Sequence, residues 1–402
     1  MMKRIALLCI LFALVGCGPV EPPAPEEEVV EEEVVEEVAA LELASETELI
    51  QAPAARPVTL VVETVTLEKL QGDFSKRAIS EDAVLGFDPE KQVLYQDVTD
   101  PSLEGTGRVR ITHLETGQTK ETGLGRLYRY LDGQRVVDGK LHLIGPNLEE
   151  GTLDHLVIAP EATVELTELP PSDRGGVTAA DGGFYVMLEN LAAEDRVEYA
   201  LLYLPYDSSD MEELYRGHYT LGADGQVAEG HALGNFHAMG DHLGFQELEG
   251  DLDNDPKVKA SYLWDVKGDL LHGVGFITRP STFLAGDPEL ILDLKTRETE
   301  WGSEEEPLIL YRKEGTEYIP YVISGYEYAN FIGEARLLEG GGLYIQGDHS
   351  LDFLDLETMV VKKIPLGGAQ FDFLDFSEGN VLSFVERGEG GPLLHWGSLG
   401  EQ

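Results

Sequence analysis

The sequence predicts an all-β body. Three observations predict it: short β-branched, alternating runs recur along most of the chain, Asp-Gly pairs punctuate them, and one strand-and-turn pattern repeats. Runs of about four to eight such residues, bounded by turn signals, favour strands. Val58 to Val65 is the first. Leu141 to Ile144, Leu153 to Ile158, Phe184 to Leu188 and Val197 to Leu204 follow, then Leu308 to Tyr311, Leu343 to Ile345 and Val381 to Val385. Asp132-Gly133, Asp138-Gly139, Asp181-Gly182 and Asp224-Gly225 are expected to make the tight turns between strands, because the pair tolerates positive φ. Only Asp210 to Tyr215, a capping Asp followed by two glutamates, predicts a short helix.

The repeat sharpens the fold class. Ile111-Thr112-His113-Leu114-Glu115-Thr116, Ile291-Leu292-Asp293-Leu294-Lys295-Thr296 and Phe353-Leu354-Asp355-Leu356-Glu357-Thr358 share one pattern, and Leu263-Trp264-Asp265-Val266-Lys267-Gly268 is a looser copy. The pattern resembles the turn between the third and fourth strands of β-propeller blades, of the WD40-like, quinoprotein-like and YncE-like kinds. The resemblance implies apolar positions packed between neighbouring blades and a polar turn facing water. The interval from Thr116 to Thr296 fits four blades of about 45 residues, and Thr296 to Thr358 fits one blade with an insertion. Asp265 and Asp293 are too close for a whole blade, so the Trp264 copy is expected in an inner hairpin or as a coincidence. Residues 57–402 then form a β-propeller domain of about seven four-stranded blades, with six to eight compatible with its length. Two β-sandwiches are the competing arrangement. A ring must close, and Val58 to Val65 is expected to pair with Leu393 to Trp396 in one blade, hiding exposed edges.

The amino terminus carries an address. Lys3 and Arg4 precede an apolar run from Ile5 to Val15, and Leu14-Val15-Gly16-Cys17 closes it. A basic start, an apolar centre and a small residue before the cut describe a secretory signal peptide over residues 1–16. The run of about eleven residues is shorter than the roughly 18 that a bilayer span requires. The ending resembles the lipobox of bacterial lipoproteins. That resemblance implies Cys17 as the lipid attachment site and first residue of the mature chain, bearing a diacylglyceryl thioether and an amino-terminal acyl chain. Several acyl chains hold a protein at a membrane far more firmly than one. Gly18 in place of Asp implies sorting to the outer membrane, so the expected location is the cell envelope, lipid-anchored. The chain has 2 cysteines, and Cys9 lies in the discarded signal. No disulfide, thiol nucleophile or cysteine zinc site remains, and stability must come from the core.

Residues 17–56 read as an acidic Pro/Glu/Val-rich tether. Pro22, Pro23 and Pro25 open it, Glu26-Glu27-Glu28-Val29-Val30 recurs as Glu31-Glu32-Glu33-Val34-Val35, and residues 19–56 hold twelve Glu against one Arg. Stacked glutamates and β-branched valines oppose a stable helix, although Val30, Val34, Val38 and Leu41 have helical spacing. A flexible chain of about 40 residues spans roughly 35 Å, and like charges extend it. The whole chain has 75 acidic and 29 basic residues, a formal charge of −46. Such a surface repels nucleic acid and favours divalent cations or basic partners; solubility, or life in salty water, is the alternative explanation.

Catalytic signatures are absent: there is no Walker loop, H-E-x-x-H, G-x-S-x-G or G-x-G-x-x-G. Asp251, Asp253 and Asp255 alternate as ligands in calcium loops do, since a hard cation needs several converging oxygens. Pro256 stands where an EF-hand needs glycine, Tyr262 where it needs the bidentate Glu, and Lys259 where integrin-like loops want an acid, so an exposed acidic turn competes with calcium. His231, His237 and His242 lie within twelve residues, with His218 upstream and Asp241 adjacent; imidazoles suit zinc or a similar metal, but neither spacing is that of a helix and a polar surface loop is the favoured reading. Gly234 and Gly240 mark Glu229 to Lys257 as the longest irregular stretch of the body, where binding is expected. The leading function is a non-enzymatic binding or scaffolding module with a protein or envelope component as partner. The layout is similar to the propeller lipoprotein of the outer-membrane β-barrel assembly machinery, without that family's regular tryptophan-and-glycine repeats; Trp264, Trp301 and Trp396 are the only tryptophans. The alternative is an envelope enzyme of polysaccharide lyase, glycosidase or lactonase type.

Overall fold

The computed structural model describes residues 53–398 with internal gaps, of which 65–73, 100–106, 276–289, 294–307 and 325–333 are the longest. The described residues form strands and turns, with no helix among them. Three short strands come first: β1 (Arg56–Thr59), β2 (Val61–Thr64) and β3 (Ser75–Ala78). Blade 1 is β4 (Ala83–Asp88), β5 (Val93–Asp97), β6 (Arg108–His113) and β7 (Gln118–Gly123). Blade 2 is β8 (Gly133–Val137), β9 (Lys140–Asn147), β10 (Thr152–Ile158) and β11 (Val164–Pro171). Blade 3 has five strands: β12 (Arg174–Ala179), β13 (Gly183–Ala193), β14 (Arg196–Pro205), β15 (Glu212–Leu221) and β16 (Val227–Gly230). Blade 4 is β17 (Ala232–Met239), β18 (His242–Asp251), β19 (Asp255–Asp265) and β20 (Leu270–Val274). Blade 5 is β21 (Leu290–Asp293), β22 (Leu308–Glu314) and β23 (Glu317–Ser324), with β1 added. Blade 6 is β24 (Glu334–Leu337), β25 (Gly342–Gln346), β26 (Ser350–Asp355) and β27 (Val360–Pro365), with β2 added. Blade 7 is β28 (Gln370–Ser377), β29 (Val381–Gly388) and β30 (Gly391–Ser398), with β3 added.

These seven sheets make a seven-bladed β-propeller, as the repeat implied. The first strands of successive blades are neighbours, β28 beside β4, β4 beside β8, β8 beside β12 and β12 beside β17, which makes them the inner ring. Two glycines permit that approach. A Cβ on Gly86 of β4 would stand 2.4 Å from Val136 Cγ2, and one on Gly133 of β8 would stand 2.7 Å from Val177 Cγ1.

The apolar cores lie between blades, because successive residues of a strand point to opposite faces. On β9, Leu141 and Leu143 join Tyr95, Val109 and Ile111 of blade 1, whereas Ile144 joins Phe184, Val186 and Leu204 of blade 3. Tyr199, Tyr219, Phe245, Tyr262 and Trp264 fill the junction of blades 3 and 4. At the closing junction Phe87 of blade 1 packs edge-on against Trp396 of blade 7, with ring centroids 5.3 Å apart.

Several expectations change in detail. The ring closes through an amino-terminal strand, but Ser75–Ala78 rather than Val58 to Val65 pairs with β30. The earlier valines run instead as β1 and β2 along blades 5 and 6, in parallel with β23 and β27. Asp138 and Gly139 do form the β8–β9 turn, both with positive φ (51° and 77°), which matches the twist of a tight hairpin. Gly133, by contrast, is a residue of β8 opposite Ile144, kept small by blade 3 rather than by a turn. The helix expected at Asp210 to Tyr215 is absent: Glu212 opens β15, whose main-chain bonds go to β14. The Trp264 copy of the repeat, expected to be an inner hairpin or a coincidence, ends the third strand of blade 4. The Ile291 copy is the misplaced one: β21 pairs with β22, which lies between it and β23, so it does not directly precede the strand that carries β1. Uneven connections between blades had distorted the spacing on which both assignments rested.

Candidate functional site

The inner ring and the adjoining side of blade 4 bring the chemically distinctive side chains together. Arg135 of β8 donates through a guanidinium N–H to Asp375 of β28 at 3.3 Å, both side chains about a fifth exposed (22%). Their strands are separated around the ring by β4, so the pair braces the inner ring from blade 2 to blade 7. Elsewhere on the inner strands of blades 1, 3 and 4 the positions are mostly small or apolar, from Ala83 to Phe87, from Gly175 to Ala179, and from Ala232 to Met239 around Asn235 and His237, whereas β24 carries Glu334 and Arg336 and β28 carries Gln370, Asp372 and Ser377.

A β-bulge interrupts β17. Gly234 pairs with Gln246 and His237 with Gly244, so Asn235 and Phe236 share one partner position. Asn235 takes a left-handed φ of 53°, which an asparagine accepts more readily than most residues. Its amide donates to Gln246 Oε1 at 2.6 Å, and the Gln246 amide donates to Ser261 Oγ at 3.2 Å, carrying a polar thread from the half-buried Asn235 on β17 to the fully buried Gln246 and Ser261. Phe236 then stacks on Phe245, and Phe245 on Tyr262. Burial holds His237 neutral, lowering its pKa to about 4.

A second bulge builds the most concentrated polar cluster. Glu247 pairs with Ala260 and Leu248 with Val258, which leaves Lys259 as the extra residue of β19. Lys259 Nζ reaches Glu247 Oε1 at 2.6 Å, His231 Nδ1 reaches the same oxygen at 2.7 Å, and the Tyr262 hydroxyl donates to Oε2 at 3.3 Å. Glu247 is nearly inaccessible, at 4% of its side chain, whereas His231 and Lys259 are half exposed. Burial alone would raise the Glu247 pKa; the hydrogen bonds from Lys259 and His231 outweigh it and hold the carboxyl below its usual range. Burial, then the charge of Glu247, pushes the Tyr262 phenol up. The Tyr199 hydroxyl donates to the His231 carbonyl at 2.7 Å and fixes the backbone there. With Nδ1–H given to a carboxylate, the neutral ring of His231 is held in one tautomer with Nε2 as its acceptor atom, the arrangement of histidines that accept protons or bind ligands. Glu247 stays ionised and bonded, so it orients the cluster rather than donating a proton.

The sequence-level candidates fare unevenly. Cys17 lies outside the described residues. Asp251 and Asp255 are backbone register partners at the end of the β18–β19 hairpin, the Asp251 main chain is also bridged to Gln226, and Asp253 lies outside the described residues. Among the described residues no three His, Cys, Asp or Glu side chains converge as a metal site would require. His231, His237 and His242 are spread along β17 and its flanks, and His218 meets His231 only through the main chain, at 3.3 Å. Glu229 to Lys257 is not irregular: it contains β17 and β18. Gly234 had signalled a break, but within a strand a glycine also marks a bulge or close approach, and a Cβ there would stand 2.9 Å from Leu248. The sequence gives no sign that Glu247 and Lys259 meet, because only the β18–β19 register brings them together.

The chain is a seven-bladed β-propeller closed by its own amino-terminal strand. It resembles the β-propeller domain of the trilobed protease from Pyrococcus furiosus, with TM-score 0.51 and 13% identity over 79% of this chain and 94% of that one. That domain has an open velcro topology, whereas β3 closes blade 7 here. The acylaminoacyl peptidase of Pyrococcus horikoshii gives TM-score 0.49 and 14% identity over 77% of this chain and 52% of that one. Oligogalacturonate lyase from Vibrio parahaemolyticus gives 0.41 and 11% over 82% and 99%. At such identities the likeness is one of fold. No protein-family model matches the chain, and no curated protein matches it in sequence.

Proposed function

We propose that the protein is a binding or scaffolding module of the cell envelope, held at the outer membrane through lipidated Cys17 and presenting its propeller to a protein or envelope component. One observation carries this reading: the inner strands of blades 1, 3 and 4 are mostly small or apolar, and Arg135 of blade 2 is paired with Asp375 of blade 7. A catalytic funnel would instead gather unpaired acids and histidines at that point. The strongly negative surface favours a basic partner or divalent cations over nucleic acid. Co-purification from membranes tests the proposal, with Cys17→Ser as control. The partner should accompany the wild-type chain in the membrane fraction and be lost from it with the variant; a Cys17→Ser chain that still sediments with membranes refutes lipid anchoring. Calcium at Asp251, Asp253 and Asp255 belongs to the same proposal, and a melting temperature unchanged by millimolar calcium removes it.

The Glu247–His231 dyad favours a second reading, an envelope enzyme of lyase, glycosidase or lactonase type in which His231 Nε2 takes a proton. Turnover on such substrates that His231→Gln abolishes supports it. Turnover that survives the substitution excludes His231.

A further inference from the structure

β1 and β2 form one extended segment laid along two blades, with only position 60 between them. β1 runs parallel to β23, from Arg56 opposite Tyr321 to Thr59 opposite Ser324. β2 runs parallel to β27, from Val61 opposite Val360 to Thr64 opposite Lys363. Almost nothing on this segment is buried. Val58 is half-buried, the other side chains are exposed, and Val61 and Val62 are exposed at 57% and 39%. Attachment therefore rests mainly on the main-chain ladder, to which the Val61 N–H contributes a bond to the Met359 carbonyl at 3.4 Å. Arg56 adds exposed contacts to Glu314 at 3.3 Å and to the Tyr321 hydroxyl at 3.0 Å, which solvent screens. Ring closure does not depend on the segment, because β3 pairs with β30 separately and Arg77 donates to the Leu114 carbonyl.

We infer that residues 56–64 are an exchangeable strand, and that the edges of β23 and β27 accept the same residues from a second copy of this chain. Three arguments select a second copy over an unrelated strand. A main-chain ladder is the same in trans as in cis, and the register, with Glu314 and Tyr321 ready for Arg56, is already set for this sequence. Residues 65–74 join β2 to β3, and such a length spans up to about 35 Å when extended, enough to reach an adjacent molecule. Because β3 stays in place, exchange breaks only bonds that are remade, and its cost reduces to association. Confinement of the chain to a membrane surface lowers that cost by raising local concentration.

Two measurements on the Cys17→Ser mature chain, which has no thiol, decide the matter. Glu63 and Lys362 are register partners, so singly substituted Glu63→Cys and Lys362→Cys chains, mixed and mildly oxidised, should form a mixed disulfide dimer. The doubly substituted chain should close on itself when dilute and link between chains when concentrated. Sedimentation of the parent chain should show a dimer that strengthens with concentration, and a chain lacking residues 56–64, which has no strand to exchange, should stay monomeric. Internal closure of the double variant with no mixed dimer overturns the inference, as does a parent chain that stays monomeric at millimolar concentration. A dimer that survives removal of residues 56–64 places the interface elsewhere and overturns it too.

Discussion

Arg135 and Asp375 meet at 3.3 Å although blade 1 lies between the blades that carry them. Neighbouring blades are joined by apolar contacts between their faces; this pair joins two that are not neighbours. Each partner keeps about a fifth of its surface in water, so the bond is screened, but losing either one leaves a half-buried charge. Asp375→Asn and Arg135→Ala should each cost about 1 kcal/mol, with a coupling of roughly 0.5 kcal/mol in the double variant, read from denaturant melts.

His142 and His155 predict an acid-sensitive junction. Their rings lie between blades 2 and 3, with Nδ1 of one 3.3 Å from Nε2 of the other, and Phe184 and Tyr206 pack edge-on around them. Burial lowers both pKa values from 6.5 to about 4, with the neighbouring His155 adding to the effect on His142. The unfolded chain thus binds protons that the folded chain refuses. The stability is fully present above pH 6.5 and is lost as pH falls from there towards 4, by up to about 3 kcal/mol per histidine. The melting temperature should fall across that window, and more gently in His155→Gln. A profile identical in that variant contradicts the assignment.

Glu247→Gln should weaken the chain by about 1–2 kcal/mol at neutral pH, discounted because Lys259 and His231 are half solvated. The Glu247 pKa is lowered from 4.5, so its contribution is present above that value and is lost as pH falls through the folded value. The gap between wild type and variant should therefore close in acid, which melting curves taken at successive pH values will show.

Glycines of the inner ring should separate by position. Gly86→Ala and Gly133→Ala drive a methyl into Val136 and into Val177 with Phe184, and should cost about 1–3 kcal/mol. Gly176→Ala meets nothing within 4 Å and should be neutral or stabilise by about 0.5 kcal/mol, since it restricts only the unfolded chain. Equal losses at all three positions would mean that close approach is not why the ring uses glycine.

Much of this was legible in the chain itself. Alternation and β-branching marked β9, β10, β13, β14 and β29, because strand faces follow a period of two whatever their partners. The repeat pointed to the class of fold, since a similar turn follows the third strand of blades 1, 4 and 6. The acidic composition of residues 17–56 and the count of 2 cysteines are likewise read from the sequence, being properties of composition and order. What only the tertiary structure decided are the long-range pairings. Ser75–Ala78 closes the ring, Val61–Thr64 lies on blade 6, Arg135 meets Asp375, and a bulge turns Lys259 onto Glu247. Each depends on register between strands far apart in the chain, and a one-residue shift reverses the face that every side chain presents.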